Sequence, residues 1–159
     1  MRNLNVIAYP FDEIDESTDL HNQVAHSLTL LFILSYTTNW HSFFDDCISL
    51  IQKNSPRGIA IEPLPAQIFL KVLSMIDEEV ADALYTSTKK AGDQRMNADI
   101  KDRIRAYDVR NLTRFLFQVM TTCQADNDNE ELIRQCLMVI GQWIGESPLQ
   151  PELTLYSVD

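Results

Sequence analysis

The stretch Leu28-Thr29-Leu30-Leu31-Phe32-Ile33-Leu34-Ser35-Tyr36 runs into Thr37-Thr38-Asn39-Trp40 and then reaches Phe43-Phe44-Asp45-Asp46. Apolar residues at Val24, Leu28, Leu31 and Phe32 recur at the three- and four-residue spacing of a helix, and Asp19 is placed as its N-cap. The polar triplet Thr37-Thr38-Asn39 makes a short turn. Beyond it, Trp40, Phe43, Phe44, Cys47, Ile48 and Ile51 line the buried side of a second helix. A turn this short sends the chain back antiparallel to itself, which makes a helical hairpin. The apolar run Leu28–Leu34, broken only by Thr29, is far below the roughly 20 residues that a membrane span requires.

The helical period continues outward. Residues 53–65 contain Asn54-Ser55-Pro56, Gly58, Pro63 and Pro65 and read as a loop, with an apolar middle at Gly58–Ile61 that can lie on the body of the protein. A third helix over 66–84 carries Phe69, Val72, Leu73, Ile76, Val80 and Leu84 on one face and Asp77, Glu78, Glu79 and Asp82 on the other. Residues 86–98 read as looser. A fourth helix over 97–107 has Ile100, Ile104 and Tyr107 as its apolar anchors, and Leu112, Phe115, Leu116, Val119, Met120 and Cys123 mark a fifth. After a polar turn at 125–129, a sixth helix ends near Ile144, with Leu132, Ile133, Cys136, Leu137, Ile140, Trp143 and Ile144 facing inward. Glu130 and Glu131 suit the positive end of its dipole. No strand pattern competes, because Val6–Tyr9 and Leu153–Val158 are short and isolated. The fold class is therefore all-α. Six helices joined mostly as pairs fit a compact bundle or a slice of an α-solenoid, and the unequal loops suit the solenoid better.

A chain of 159 residues suits one domain or a short array of repeats, and 45% hydrophobic residues argue against disorder. Acidic residues number 23 against 13 basic ones, a formal charge of −10, which excludes a uniformly basic nucleic-acid binder but leaves room for a local patch. Cys47, Cys123 and Cys136 are odd in number and lack the CxxC spacing, so they read as core thiols in a reducing compartment. The start Met1-Arg2-Asn3-Leu4 does not read as a signal peptide, since Pro10, Asp12, Glu13, Asp15 and Glu16 fall where an apolar core is needed. The expectation is a soluble intracellular protein without a membrane role.

No phosphate-binding glycine loop, zinc-protease motif or serine-nucleophile motif occurs, and nothing is spaced like a metal site. His21, His26 and His41 read as structural or solvated. Asp45 and Asp46 are adjacent on a helix and point about 100° apart, so they do not share a proton. Hence no catalytic, cofactor or metal residue is assigned. A small enzyme would need a pocket where Asp45, Asp46 or His41 meets other polar groups. The informative feature is charge segregation. Residues 89–114 hold eight of the 13 basic residues and four of the 23 acids. Lys101 and Arg105 share a helical face, as do Arg110 and Arg114, while Asp99 and Arg103 can pair internally. This window can meet a partner's acids, acids of the chain itself or RNA phosphates, although aromatics do not interleave with it to stack bases.

These residues carry a resemblance. The apolar helix ending in Ser35-Tyr36, Trp40 a few residues on, and Phe43-Phe44-Asp45-Asp46 together resemble the HEAT hairpin of the exportin family, with Thr37 where proline is usual. Three further segments are similar to the tRNA-exportin branch, in a fungal form: Phe69-Leu70-Lys71-Val72-Leu73-Ser74-Met75-Ile76-Asp77-Glu78-Glu79-Val80, Ile100-Lys101-Asp102-Arg103-Ile104-Arg105, and Cys136-Leu137-Met138-Val139-Ile140-Gly141 followed by Trp143-Ile144. The resemblance spans about residues 20–146 and implies an N-terminal-third piece of a longer receptor. It implies about three antiparallel HEAT hairpins stacked as a right-handed superhelix, at about 19–53, 66–107 and 110–145. An extended or short helical segment over 1–18 precedes them, and a C-terminal tail or the start of the next repeat follows over 147–159. It also implies partners: GTP-bound Ran, mature tRNA and the FG-repeat proteins of the nuclear pore, with no cofactor beyond the GTP held by Ran. The resulting expectation is a nuclear export receptor that shuttles between nucleus and cytoplasm. Lys101, Arg105, Arg110 and Arg114 are then candidate tRNA-phosphate or partner contacts, and Asp77, Glu78 and Asp82 are candidates for Ran or another protein. The ends of an isolated piece can self-associate, and a HEAT scaffold binding only protein partners is the alternative.

Overall fold

The computed structural model describes residues 16–56, 58–81, 90–123 and 129–144. Helix α1 spans Glu16–Ser35, α2 Phe43–Ile51, α3 Pro63–Ile76, α4 Ala91–Arg103, α5 Val109–Cys123 and α6 Glu130–Ile144. Strands β1 (Gln52–Ser55) and β2 (Gly58–Ile61) lie between α2 and α3. Among the described residues, the fold is all-α apart from this one ribbon. Helices α1, α2 and α6 all pack on α3, and α5 packs on α6.

Phe44 shows why the core holds together. It is fully buried and lies 5.2 Å from Phe32 of α1, 5.6 Å from Tyr36, 5.4 Å from Phe43, 6.5 Å from Phe69 of α3 and 6.4 Å from Trp143 of α6, centroid to centroid. Phe69 in turn meets Phe115 of α5 at 5.6 Å, edge to face. Tilted and edge-on rings of this kind add to their area burial. Trp143 also donates its indole N–H to the Leu73 carbonyl at 3.1 Å, which satisfies its polar atom inside the core. Trp40 sits beside Phe43 and donates to Asp46 Oδ2 at 2.7 Å, while Ser42 Oγ donates to the same oxygen at 2.8 Å. Asp46 thus ties the turn to the start of α2.

Several expectations shift. The buried stripe of α1 is Ala25, Thr29 and Phe32, continued by Tyr36 just past its end, whereas Val24 and Leu31 are exposed and Leu28 is half-buried. The small side chains of Ala25 and Thr29 face the core, and Thr29 donates to the Ala25 carbonyl and lies 3.8 Å from Met75 Sδ of α3. Asp19 is inside α1 and accepts from Gln23, so it is not the N-cap. The segment expected as a loop over 53–65 forms the β1–β2 antiparallel ribbon, paired from Gln52↔Ile61 to Ser55↔Gly58. Gly58 takes a positive φ of 119°, which lets so short a ribbon turn without strain. Ile61 packs against the core, and Lys53 pairs with Glu62 at 2.9 Å. In α6, Leu137 faces solvent, while Leu132, Cys136, Val139 and Trp143 face inward.

The largest difference concerns 90–123. The looser stretch expected over 86–98 is helical from Ala91, and the break expected between 107 and 110 does not exist. Residues Ile104–Asp108 form a π-helical turn that joins α4 directly to α5. A second such turn, Asp77–Ala81, extends α3. Buried Asn97 donates to the Glu79 carbonyl at 2.9 Å and holds α4 against that extension. Leu84, the 1–15 part of the expected N-terminal segment and the tail over 147–159 lie outside the described residues.

Phe44→Ala is expected to lower the unfolding free energy by about 3–5 kcal/mol in urea titration, because a core ring is removed and its cavity cannot fully collapse. Exposed Phe117→Ala is expected to change it by under about 0.5 kcal/mol. Equal losses would show that the ring cluster is not the core.

Candidate functional site

The candidate cations sit around the π-turn. At about 100° per residue, an unbroken α-helix would carry Arg110 and Arg114 about 180° round from Lys101 and Arg105. A π-turn holds one extra residue and removes about 100° of that offset. The backbone shows the insertion directly: the Val109 N–H donates to the Ile104 carbonyl, five residues back. The buried residues Ile100, Ile104, Asp108 and Leu112 accordingly follow one another at intervals of four, so the core stripe stays on one line across the wide turn. Arg105 and Arg110 as a result line one groove of about 420 Å³ with Ala106, Tyr107, Val109 and Asn111.

The four cations are not equivalent. Lys101 is half-buried, and burial, followed by the nearby Arg105 charge, lowers its pKa, while the charges of Asp77 and Asp102 oppose the shift. It is therefore engaged within the chain. Arg105 approaches Asp102 at 3.7 Å on an exposed surface, a contact of small energetic weight. Arg110 and Arg114 are exposed, and Arg114 reaches Asn111 Oδ1 at 3.4 Å. Among the candidate acids, Asp77 is half-buried on the α3 extension and acts on Lys101, Glu78 is exposed, and Asp82 lies outside the described residues.

Beneath the groove is a polar cluster that spacing alone did not reveal. Tyr36 donates its hydroxyl to Asp108 Oδ2, joining the end of α1 to the π-turn. The Arg103 guanidinium lies 5.6 Å from the centre of the Tyr36 ring and 5.2 Å from that of Tyr107. Asn111 Nδ2 donates to Asp45 Oδ1 at 3.3 Å, which links α5 to α2. Burial raises the pKa of Asp108 and the Asp45 charge adds to the rise, against the Tyr36 hydrogen bond and the Arg103 charge. Burial and then Asp108 push Tyr36 up as well. Tyr107, expected as an apolar anchor, is 70% exposed. The run Arg103-Ile104-Arg105-Ala106-Tyr107-Asp108-Val109-Arg110 held the signal for it, since an aromatic does interleave with the basic residues there.

The other candidates have structural roles. His41 Nδ1 hydrogen-bonds the Tyr36 carbonyl at 2.7 Å. Burial pushes the Cys47 and Cys136 thiols up to about 11, with the Asp46 charge adding to the first and Cys123 to the second, so both are protonated at neutral pH. A second groove, about 250 Å³ and almost wholly apolar, lies between α1, α2 and α3 and is lined by Val24, Leu28, Cys47, Leu50, Leu64 and Ile68 among others. Among the described residues, no group of His, Cys, Asp and Glu could hold a metal ion, and no helix is long and apolar enough to cross a membrane.

The family model for exportin 1-like proteins matches residues 18–151, which covers every helix described above except the first two residues of α1. The chain belongs to the exportin 1-like family. Within that family it is similar to exportin-T of Aspergillus niger (30% identity over 129 residues), of Aspergillus fumigatus (32% over 127) and of Homo sapiens (33% over 129). These alignments cover 81%, 79% and 81% of the chain, and the chain spans about 12% of the length of each of these exportins. No solved structure matches it. Membership agrees with a HEAT-type all-α solenoid piece.

A buried carboxyl with a raised pKa binds more protons folded than unfolded, so its contribution to stability falls as pH rises. From about pH 4 to pH 7, the wild-type chain is expected to lose stability relative to Asp108→Asn, measured as the difference between urea midpoints. A difference independent of pH would show that Asp108 titrates normally.

Proposed function

We propose that this chain forms part of a nuclear export receptor that binds mature tRNA together with GTP-bound Ran and carries it from nucleus to cytoplasm. The observation that carries the reading is the cationic groove of Arg105 and Arg110, with exposed Arg114 one turn beyond, in a chain similar to exportin-T. Such a surface suits phosphate oxygens, which position a nucleic acid without reading its bases. Double-stranded RNA is recognised mainly through A-form shape and backbone, which a curved solenoid surface can follow. The task needs no covalent step, so no catalytic residue is assigned. One partner stabilises the curvature the other requires, which couples the two binding events.

Glu78 is the acid best placed for a Ran contact, since Asp77 is already engaged with Lys101. The apolar groove between α1, α2 and α3 suits phenylalanine side chains of nuclear-pore FG repeats. Exposed Leu20, Leu31, Leu34 and Leu50 give the chain apolar surface through which it can self-associate. The half-burial of Lys101 near the Asp77 and Asp102 charges favours the second reading, a HEAT scaffold for protein partners only, in which the basic residues meet acids rather than RNA.

Fluorescence anisotropy with labelled mature tRNA tests the first reading. Weak binding at about 50 mM salt that falls steeply by about 150 mM, and disappears when Lys101, Arg105, Arg110 and Arg114 are reversed to Glu, is the expected result. Absence of binding at the lower salt would overturn the phosphate role of this segment and favour the protein-only scaffold.

A further inference from the structure

We infer that Tyr107 is a base-stacking platform, so that the groove beside it takes an unpaired nucleotide of an RNA strand, ring on Tyr107 and flanking phosphates on Arg105 and Arg110. This rests on the RNA-binding reading above and adds to it a ligand class and a residue.

Three observations converge. Tyr107 is 70% exposed although it sits in the middle of a helical rod that buries Ile104 and Asp108 on either side of it. Its ring is held from one face by the Arg103 guanidinium at 5.2 Å, and Arg103 is itself held by the Tyr36 ring at 5.6 Å. The ring is thus braced by a cation and a second aromatic while most of the residue stays in water. A guanidinium against one face leaves the other free for an electron-rich heterocycle, and stacking of this kind tolerates any base. The third observation is charge. Arg105 and Arg110 lie in the same groove as Tyr107, and the π-turn narrows their separation around the helix from about 140° to about 40°. A base flanked by phosphates matches this order of cation, ring and cation. An acidic peptide would use the arginines and leave the ring without a partner.

A blunt-ended short RNA duplex and the same duplex with a single-stranded overhang separate the two layers of the reading. The full chain is expected to bind the overhang form about tenfold more tightly than the blunt form at low salt. Tyr107→Ala is expected to erase that preference, Tyr107→Phe to keep it, and neither to change the slope of affinity against salt, because no charge is removed. Arg105→Gln and Arg110→Gln are each expected to reduce the slope by about one. Thermal melts should show both tyrosine variants folded, since the side chain is exposed. Equal binding of both duplexes by the wild-type and Tyr107→Ala chains would overturn the stacking role and leave the phosphate surface standing. Binding to neither duplex, with binding to a poly-glutamate peptide instead, would overturn both.

Discussion

One wide turn in a long helix sets the register of everything on its surface. The Val109 N–H reaches back five residues to the Ile104 carbonyl, and this extra residue must be held in place, because a π-turn is a poorer helix than the α-form on either side. The structure holds it from within. Tyr36, at the end of α1, donates to Asp108 at the last position of the turn, and Arg103 covers the same ring just before its first. Tyr36 is fully buried and also stacks on Phe32 at 4.5 Å, so the polar anchor and the aromatic core share one residue. The core therefore determines where the arginines point.

That coupling explains why buried polarity is tolerated here. An unpaired buried carboxylate costs free energy, and Asp108 keeps the Tyr36 hydrogen bond and the nearby Arg103 charge as compensation. Outside the groove, the exposed ion pairs, such as Arg134 with Glu131 at 2.6 Å, add little to stability. Ring packing around Phe44 joins α1, α2, α3 and α6.

Much of this was legible in the residues. The second and fifth helices, with Phe43, Phe44, Phe115, Leu116 and Val119 inward, follow from helical spacing, although Leu50 and Phe117 break the polar face. The second half of α1, Leu28–Leu34, is apolar nearly all round, so periodicity could not tell Leu31, which is exposed, from Thr29, which is buried against α3. The β1–β2 ribbon escaped because Asn54-Ser55-Pro56 and Gly58 signal a turn whether or not four residues on each side pair. The resemblance located the family, and the charge count located the basic window. Neither could show that Lys101 is half-buried or that Tyr107 turns outward. A π-turn has no composition of its own. It follows from tertiary anchors, here Tyr36 and Asp108, which lie far apart in sequence.

The most direct test of this account is the hydrogen bond itself. Couplings measured by NMR across hydrogen bonds assign each backbone amide to its carbonyl. The Val109 amide is expected to couple to the Ile104 carbonyl, with the basic pairs brought onto neighbouring faces. A coupling from Val109 to the Arg105 carbonyl would mean an ordinary α-helix, with Arg110 turned away from Arg105, and would contradict it.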